Sequence, residues 1–226
     1  MKKERKWIYV IGCIVLFAVI VGCCTLYVNN KRQEYYDSAT KAMVFITNQD
    51  QGGNGSIYKI EEDRLIIVTT YHLVQDSDTV MIYLPDQSIW QGEVLLVNKE
   101  HDVGFVTVDM EQVSAETLEQ IDYVRYHEKT FDKLETGDYM EYRYLEWNGG
   151  HVSSTSQKGS IGHMNWYIED FDDYFIYNYC DVEPGMSGCT AVAEDGSYIG
   201  MMIGGAINES GALSVKIIEE IYSSIK

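Results

Sequence analysis

From Trp7 to Val28 the sequence runs for 22 residues without a charged side chain or a proline. At about 1.5 Å of rise per residue, a helix of that length spans the ~30 Å hydrocarbon core of a bilayer. It is apolar on every face, so it has no polar side to turn to water from a globular core. The segment predicts one transmembrane helix that stands apart from the fold after it. Lys2, Lys3, Arg5 and Lys6 precede it, and Lys31 and Arg32 follow it. That asymmetry predicts a cytoplasmic segment 1–6, an anchor 7–28 and an outward-facing remainder. Two other readings of these residues stay open. A secretory signal has a similar make-up, and Ile20-Val21-Gly22-Cys23 resembles a bacterial lipobox, in which Cys23 is lipidated after cleavage.

Charge follows the same division. The chain has 17 Lys and Arg against 35 Asp and Glu, a net charge of −18. Four of the basic residues lie before the apolar run, so the outer part is more acidic still. Such a surface repels nucleic acid and anionic lipid headgroups. The acidic run Glu169-Asp170-Phe171-Asp172-Asp173 lacks the spacing of a calcium loop and reads as a solvated loop. Of five cysteines, only Cys180 and Cys189 lie beyond the apolar segment. A disulfide between them is open on sequence alone, and no Cys/His spacing matches a zinc site, so no metal is expected.

Past a linker or short helix at 29–42, short strand-like runs dominate. Met43–Thr47, Ser56–Ile60, Leu65–Thr70, Thr79–Leu84, Glu93–Val97 and Val103–Val108 fill the first half. Tyr139–Leu145, Tyr174–Cys180, Thr190–Ala193, Tyr198–Ile203 and Ala212–Val215 fill the second. Gly, Asn and Asp clusters separate them, as in an all-β sandwich or barrel. Polar residues 112–136 connect the halves. Ile217, Ile218, Ile221, Tyr222 and Ile225 make a single helical stripe, so the chain should end in an amphipathic helix.

Three segments carry candidate chemistry. Gly185-Met186-Ser187-Gly188 places a serine between glycines, a pattern suited to a nucleophile on a tight turn with free N–H groups beside it. His72 follows the hydrophobic strand ending Val68-Thr69-Thr70-Tyr71, and a histidine is the usual base for a serine. Asp102 stands directly before the apolar run Val103–Val108, where a carboxylate can fix an imidazole's tautomer. Taken singly, each also fits a plainer role: a turn, a core or surface histidine, a strand cap.

Together, in the order His, Asp, Ser, these segments resemble the trypsin-like serine proteases, most closely the bacterial Deg/HtrA group, over about residues 43–220. Gln51-Gly52-Gly53-Asn54-Gly55-Ser56 is similar to the turn opening the family's first hairpin, Val68-Thr69 with His72 to its V-T-x-x-H segment, and Asp102–Val106 to its D-[LIV]-A-x-[LIV] strand with Gly104 in place of Ala. Phe175–Gly200 aligns without a gap on the segment around the nucleophile. The resemblance implies two six-stranded β-barrels, about 43–120 and 130–215, with a terminal helix at 216–226 and an active site between the barrels.

The resemblance also implies roles. Ser187 would be the nucleophile, His72 the general base, Asp102 its orienter, and the N–H groups of Gly185 and Ser187 the oxyanion hole, with no cofactor. Asp181, six places before the serine, would sit at the floor of the specificity pocket and favour Lys or Arg before the cut, unless it faces solvent or bonds a backbone N–H. Cys189 departs from the usual glycine, and Tyr71 is bulkier than the usual neighbour of the histidine. Met186 replaces the Asp of the digestive members, so no zymogen switch is expected. No PDZ-like module is expected after the terminal helix. The expectation is a membrane-anchored endopeptidase acting on peptides or proteins. A catalytically weak or inactive peptide-binding module at the cell surface is the alternative, and a lipidated solute-binding protein of another fold a third.

Overall fold

In the computed structural model, residues 2–48, 51–169 and 172–224 are described, residues 2–13 by their backbone alone. Asp170 and Phe171 of the acidic run and Ile225 of the terminal stripe lie outside them. Helix α1 spans Lys2–Lys41. The first half then forms β1 (Met43–Asn48), β2 (Gln51–Ile60), β3 (Arg64–Thr70), the short α2 (Tyr71–Val74), β4 (Thr79–Tyr83), β5 (Ile89–Asn98) and β6 (Val103–Asp109). Two short helices, α3 (Ala115–Gln120) and α4 (Glu128–Phe131), lie in the connection. The second half forms β7 (Tyr139–Asn148), β8 (His151–Ile168), β9 (Asp173–Tyr179), β10 (Thr190–Ala193), β11 (Tyr198–Ala206), β12 (Glu209–Ser214) and α5 (Val215–Ser223).

Each set of six strands closes into an antiparallel barrel, in the orders β1-β2-β3-β6-β5-β4 and β10-β11-β12-β9-β8-β7. The burial patterns follow from the sequence. β3, apolar at most positions, is buried along almost its whole length, whereas β4 buries alternate residues and turns one face to water. The fold is thus the two-barrel one expected from the resemblance.

Two elements differ from what composition alone conveys. β8 is an 18-residue strand in a stretch rich in Ser and Gly, half of it exposed and little of it buried. It exists because ten residues of β7 pair with it in unbroken register, from Tyr139↔Ser160 to Asn148↔His151. The segment 29–42, read as a linker or short helix, continues α1 as far as Lys41 and packs on the second barrel. There Ser38 and Ala39 are buried, Tyr36 Oη donates to the Glu194 carbonyl at 3.0 Å and Arg143 Nη1 donates to the Tyr36 carbonyl at 2.9 Å. The turn before β11 is fitted to this contact. Gly196 has φ 83°, and a Cβ there would lie 2.6 Å from the Tyr36 nitrogen, a place only glycine can take.

The C-terminal helix crosses back. Ser214 caps α5 by accepting the Lys216 N–H at 3.1 Å. Val215, Ile218, Ile221 and Tyr222 are buried, and Tyr222 packs edge-on against Tyr58 of the first barrel, ring centres 5.3 Å apart. Chain from the second barrel therefore seals the first.

Candidate active site

The β3–β6 pairing decides where the first two candidate residues meet. It ends at Thr70↔Val103, so the residues just after Thr70 and just before Val103 lie side by side. Tyr71 N–H donates to the Asp102 carbonyl at 3.0 Å. Asp102 then grips His72 twice: Oδ1 accepts its backbone N–H at 2.9 Å, and Oδ2 lies 2.7 Å from Nδ1. A carboxylate at that distance makes Nδ1 the protonated nitrogen and leaves Nε2 as the acceptor. The Asp102 backbone has φ 49°, a left-handed conformation that Asp tolerates better than most residues. The side chain of Asp102 is 13% exposed and that of His72 43%, so the carboxylate is shielded while the imidazole opens to solvent. Nε2 lies 3.4 Å from Thr70 Oγ1.

Ser187 stands in the turn before β10, between Gly185 at φ 94° and Gly188 at φ 84°. At Gly188 a Cβ would fall on the Asn54 carbonyl oxygen and lie 2.8 Å from Thr69 Oγ1. The serine turn therefore seats directly on β2 and β3 of the other barrel. Gly53 marks how closely it approaches α2: a Cβ there would meet Leu73 at 3.0 Å and the Ser187 carbonyl at 3.1 Å. The loop bearing Ser187 and the helix bearing His72 thus close on one glycine. Ser187 Oγ donates to the Ile203 carbonyl at 3.5 Å, and among the described residues no hydrogen bond joins it to His72.

The backbone donors of the turn divide cleanly. Met186 N–H bonds the Glu183 carbonyl, Gly188 N–H that of Met202 and Cys189 N–H that of Met186, at 3.2, 2.8 and 2.9 Å. The N–H groups of Gly185 and Ser187, the expected oxyanion donors, have no protein acceptor among the described residues. Nothing lies within 4 Å of where a Gly185 Cβ would project.

Asn54 holds this turn in place, a role the sequence reading did not give it. It is almost wholly buried. Its N–H donates to the Ser187 carbonyl at 2.7 Å. Its Nδ2 donates to the Gly185 carbonyl at 2.7 Å and the Leu145 carbonyl at 3.1 Å, and its Oδ1 accepts Leu145 N–H at 2.7 Å. The only hint in the sequence is an amide among glycines at the start of a strand. His101 makes a second bridge between the barrels, with Nδ1 2.5 Å from Asp173 Oδ2.

Asp181 is exposed, and its Oδ1 accepts the Asn208 N–H at 3.0 Å. Gly104 has a steric reason, since a Cβ there would lie 2.6 Å from a Val74 methyl. Cys180 and Cys189 are buried free thiols. Burial, aided by the Asp181 charge, pushes the Cys180 thiol up to about 11, and burial holds Cys189 well above the ordinary range; both are inert as nucleophiles near neutrality. Among the described residues, no group of three or more His, Cys, Asp or Glu is placed to hold a metal.

Comparison with known proteins adds one match. A search of curated proteins found none similar. The profile of the family described as trypsin-like peptidase domain matches residues 53–201, more than half the chain and a span that contains His72, Asp102 and Ser187. With two closed six-stranded barrels around that span, the chain belongs to the trypsin-like peptidase family.

Proposed function

We propose that this protein is a membrane-anchored serine endopeptidase whose triad is Ser187, His72 and Asp102. The observation that carries the reading is the two-point hold of Asp102 on His72, which fixes both the ring's tautomer and its position. In the reaction, Ser187 Oγ attacks the scissile carbonyl as Nε2 of His72 takes its proton. Asp102 stabilises the imidazolium through Nδ1–H, and the free N–H groups of Gly185 and Ser187 receive the developing oxyanion. His72 then returns the proton to the leaving amine. Water, deprotonated by the same Nε2, cleaves the acyl-enzyme. No cofactor enters any step.

Productive attack requires the Ser187 hydroxyl to turn from the Ile203 carbonyl toward His72. Contacts of this kind are commonly loose without substrate and tighten on binding. A peptide has a natural berth beside the serine. The Ser187 turn and β10 bond β11 as far as Ile203, so among the described residues the β11 edge from Gly204 to Ala206 is open on that side and can take an added strand. Asp181 supplies the specificity expectation, a preference for Lys or Arg before the cut. Because its carboxylate is exposed and already takes an N–H, that preference should be modest, and Asp181→Ala should remove it.

The anchor is the apolar part of α1, with the basic residues 2–6 in the cytoplasm and the barrels outside. A described helix long and apolar enough to cross a membrane, Ile14–Lys41, accords with an anchor or a signal sequence. One observation favours the alternative of an inactive peptide-binding module: the hydroxyl of Ser187 bonds a carbonyl instead of the imidazole. A fluorophosphonate probe separates the two. The full chain should be labelled on Ser187, and Ser187→Ala should not be labelled. A folded wild-type chain that binds peptides yet resists the probe would establish the binding module.

A further inference from the structure

A cavity of about 750 Å³ lies away from the triad, between α1 and the second barrel. One wall is α1 from Tyr27 and Val28 to Tyr35; the other carries Lys129 of α4, Lys133 just after it, and Glu194 and Asp195 of the turn before β11. In a chain of net charge −18 this is an unusual concentration of basic groups, with Lys31, Arg32, Lys129 and Lys133 all on one lining.

The ion pairs show which of these charges are already satisfied. Lys31 pairs with Glu34 at 2.7 Å and Arg32 with Glu194 at 3.3 Å. Asp195 accepts from Thr130 at 2.6 Å and Ser197 at 2.7 Å, with His127 3.9 Å away. Asp138 accepts the Glu135 N–H at 2.8 Å. The carboxylates of the lining are thus engaged, whereas Lys129 and Lys133 are exposed and without an ion-pair partner among the described residues. Two ammonium groups so placed suit an anionic ligand.

Its position says where that anion comes from. Val28 ends the apolar run, and from there to Tyr35 the helix rises about 10 Å. The headgroup region beyond the hydrocarbon core is roughly 5–7 Å deep on each side. The end of the cavity lined by Tyr27 and Val28 therefore lies at headgroup depth, whichever leaflet the barrels face. Tyrosines such as Tyr27 and Tyr35 are the residues that settle at that boundary.

We propose that this cavity binds the phosphate headgroup of an anionic phospholipid, held by Lys129 and Lys133, so that the protease domain is seated on the membrane as well as tethered to it. The proposal rests on the anchor reading of α1, not on catalysis. Elsewhere the acidic surface repels such lipids, which makes the contact local and orienting.

The test uses the full chain in nanodiscs of phosphatidylcholine, with and without phosphatidylglycerol. Wild type should show a higher thermal midpoint in the phosphatidylglycerol discs, as expected for a ligand of the folded state. Transferred to mild detergent, it should keep bound phosphatidylglycerol by native mass spectrometry. The double variant Lys129→Glu, Lys133→Glu should lose both effects, while Lys158→Glu on β8 should keep them. Inorganic phosphate added to phosphatidylcholine discs should not reproduce the gain. Equal behaviour of wild type and the double variant, no difference between the discs, or the same gain from free phosphate would each overturn the proposal. Release of the chain from membranes by alkaline carbonate would instead overturn the anchor reading; the detergent measurement needs no span and still reads the cavity.

Discussion

The two barrels have the same strand order but different interiors. The first is packed with Val, Ile and Leu, among them Ile46, Leu65, Ile66, Ile67, Val68 and Val106, around Phe105. The second is filled by Met140, Met186, Met202, Tyr142, Tyr144, two cysteines and three alanines, with Ile161, Ile176 and Ile199 among them. It also buries a polar chain, in which Tyr142 Oη lies 2.9 Å from both Ser210 Oγ and Asn178 Nδ2. The aliphatic barrel presents His72 and Asp102 at strand ends fixed by pairing register. The polar barrel presents Ser187 on a glycine turn whose shape is set from outside, by Asn54 of its neighbour. One half of the site is built into a sheet, and the other half is borrowed across an interface.

The largest test of this contrast is in the triad. Ser187→Ala and His72→Ala should each lower kcat by on the order of 10⁶-fold, since they act as one unit. Asp102→Asn should cost about 10⁴-fold, because the amide can select the wrong tautomer of His72. Steady-state cleavage of a peptide picked from a library profile measures all three. Near wild-type turnover in Ser187→Ala would remove the serine from the mechanism.

A smaller effect sharpens the idea of a borrowed turn. Asn54→Ala removes the bonds that hold the Gly185 carbonyl and both main-chain groups of Leu145. If it misplaces the Gly185 N–H, kcat should fall by about 10²- to 10³-fold, the loss typical of one oxyanion donor, with KM little changed. The affinity of a peptide boronate should fall in step, while a substrate-like ground-state inhibitor binds as before. A variant that loses stability but keeps boronate affinity would make Asn54 purely structural.

The contrast between the cores can be read by denaturation. Tyr142→Phe should cost about 1–3 kcal/mol by stripping Asn178 and Ser210 of a buried partner. Ile67→Val in the first barrel should cost about 0.5–1.5 kcal/mol through lost packing. Equal costs in urea titrations would erase the distinction.

The smallest effect is acid sensitivity near α1. Burial raises the Glu141 carboxyl, but Tyr139 at 2.6 Å and Arg143 at 2.9 Å outweigh it, and the net shift is downward. Such a group adds stability that is complete above its unfolded pKa and fades as pH falls through its lower folded one. Thermal midpoints should therefore drop as pH passes below the ordinary carboxylate range near ~4, and Glu141→Gln should flatten that drop. An unaltered slope in the variant would discount Glu141.

What the sequence conveyed tracks where the determining contacts lie. β3 was legible because its apolar run needs only burial, and His72, Asp102 and Ser187 because each sits in a local motif beside a strand end. β8 was not, since its polar residues obey a ladder with β7 instead of a hydrophobic period. The role of Asn54 was hidden for a related reason: its side-chain partners lie 91 and 131 residues away. The docked part of α1 was hidden too, because Tyr36 is fixed by Arg143 and Glu194 far along the chain.

That docked helix has one more consequence. A helix has a phase as well as a length, and α1 carries both from its apolar run into the barrel without a break. Adding one residue between Val28 and Tyr35 would turn everything beyond it by about 100° and lift it by about 1.5 Å. Which flank of the barrels faces the apolar end is therefore set by the residue count of a segment that never touches the cleft.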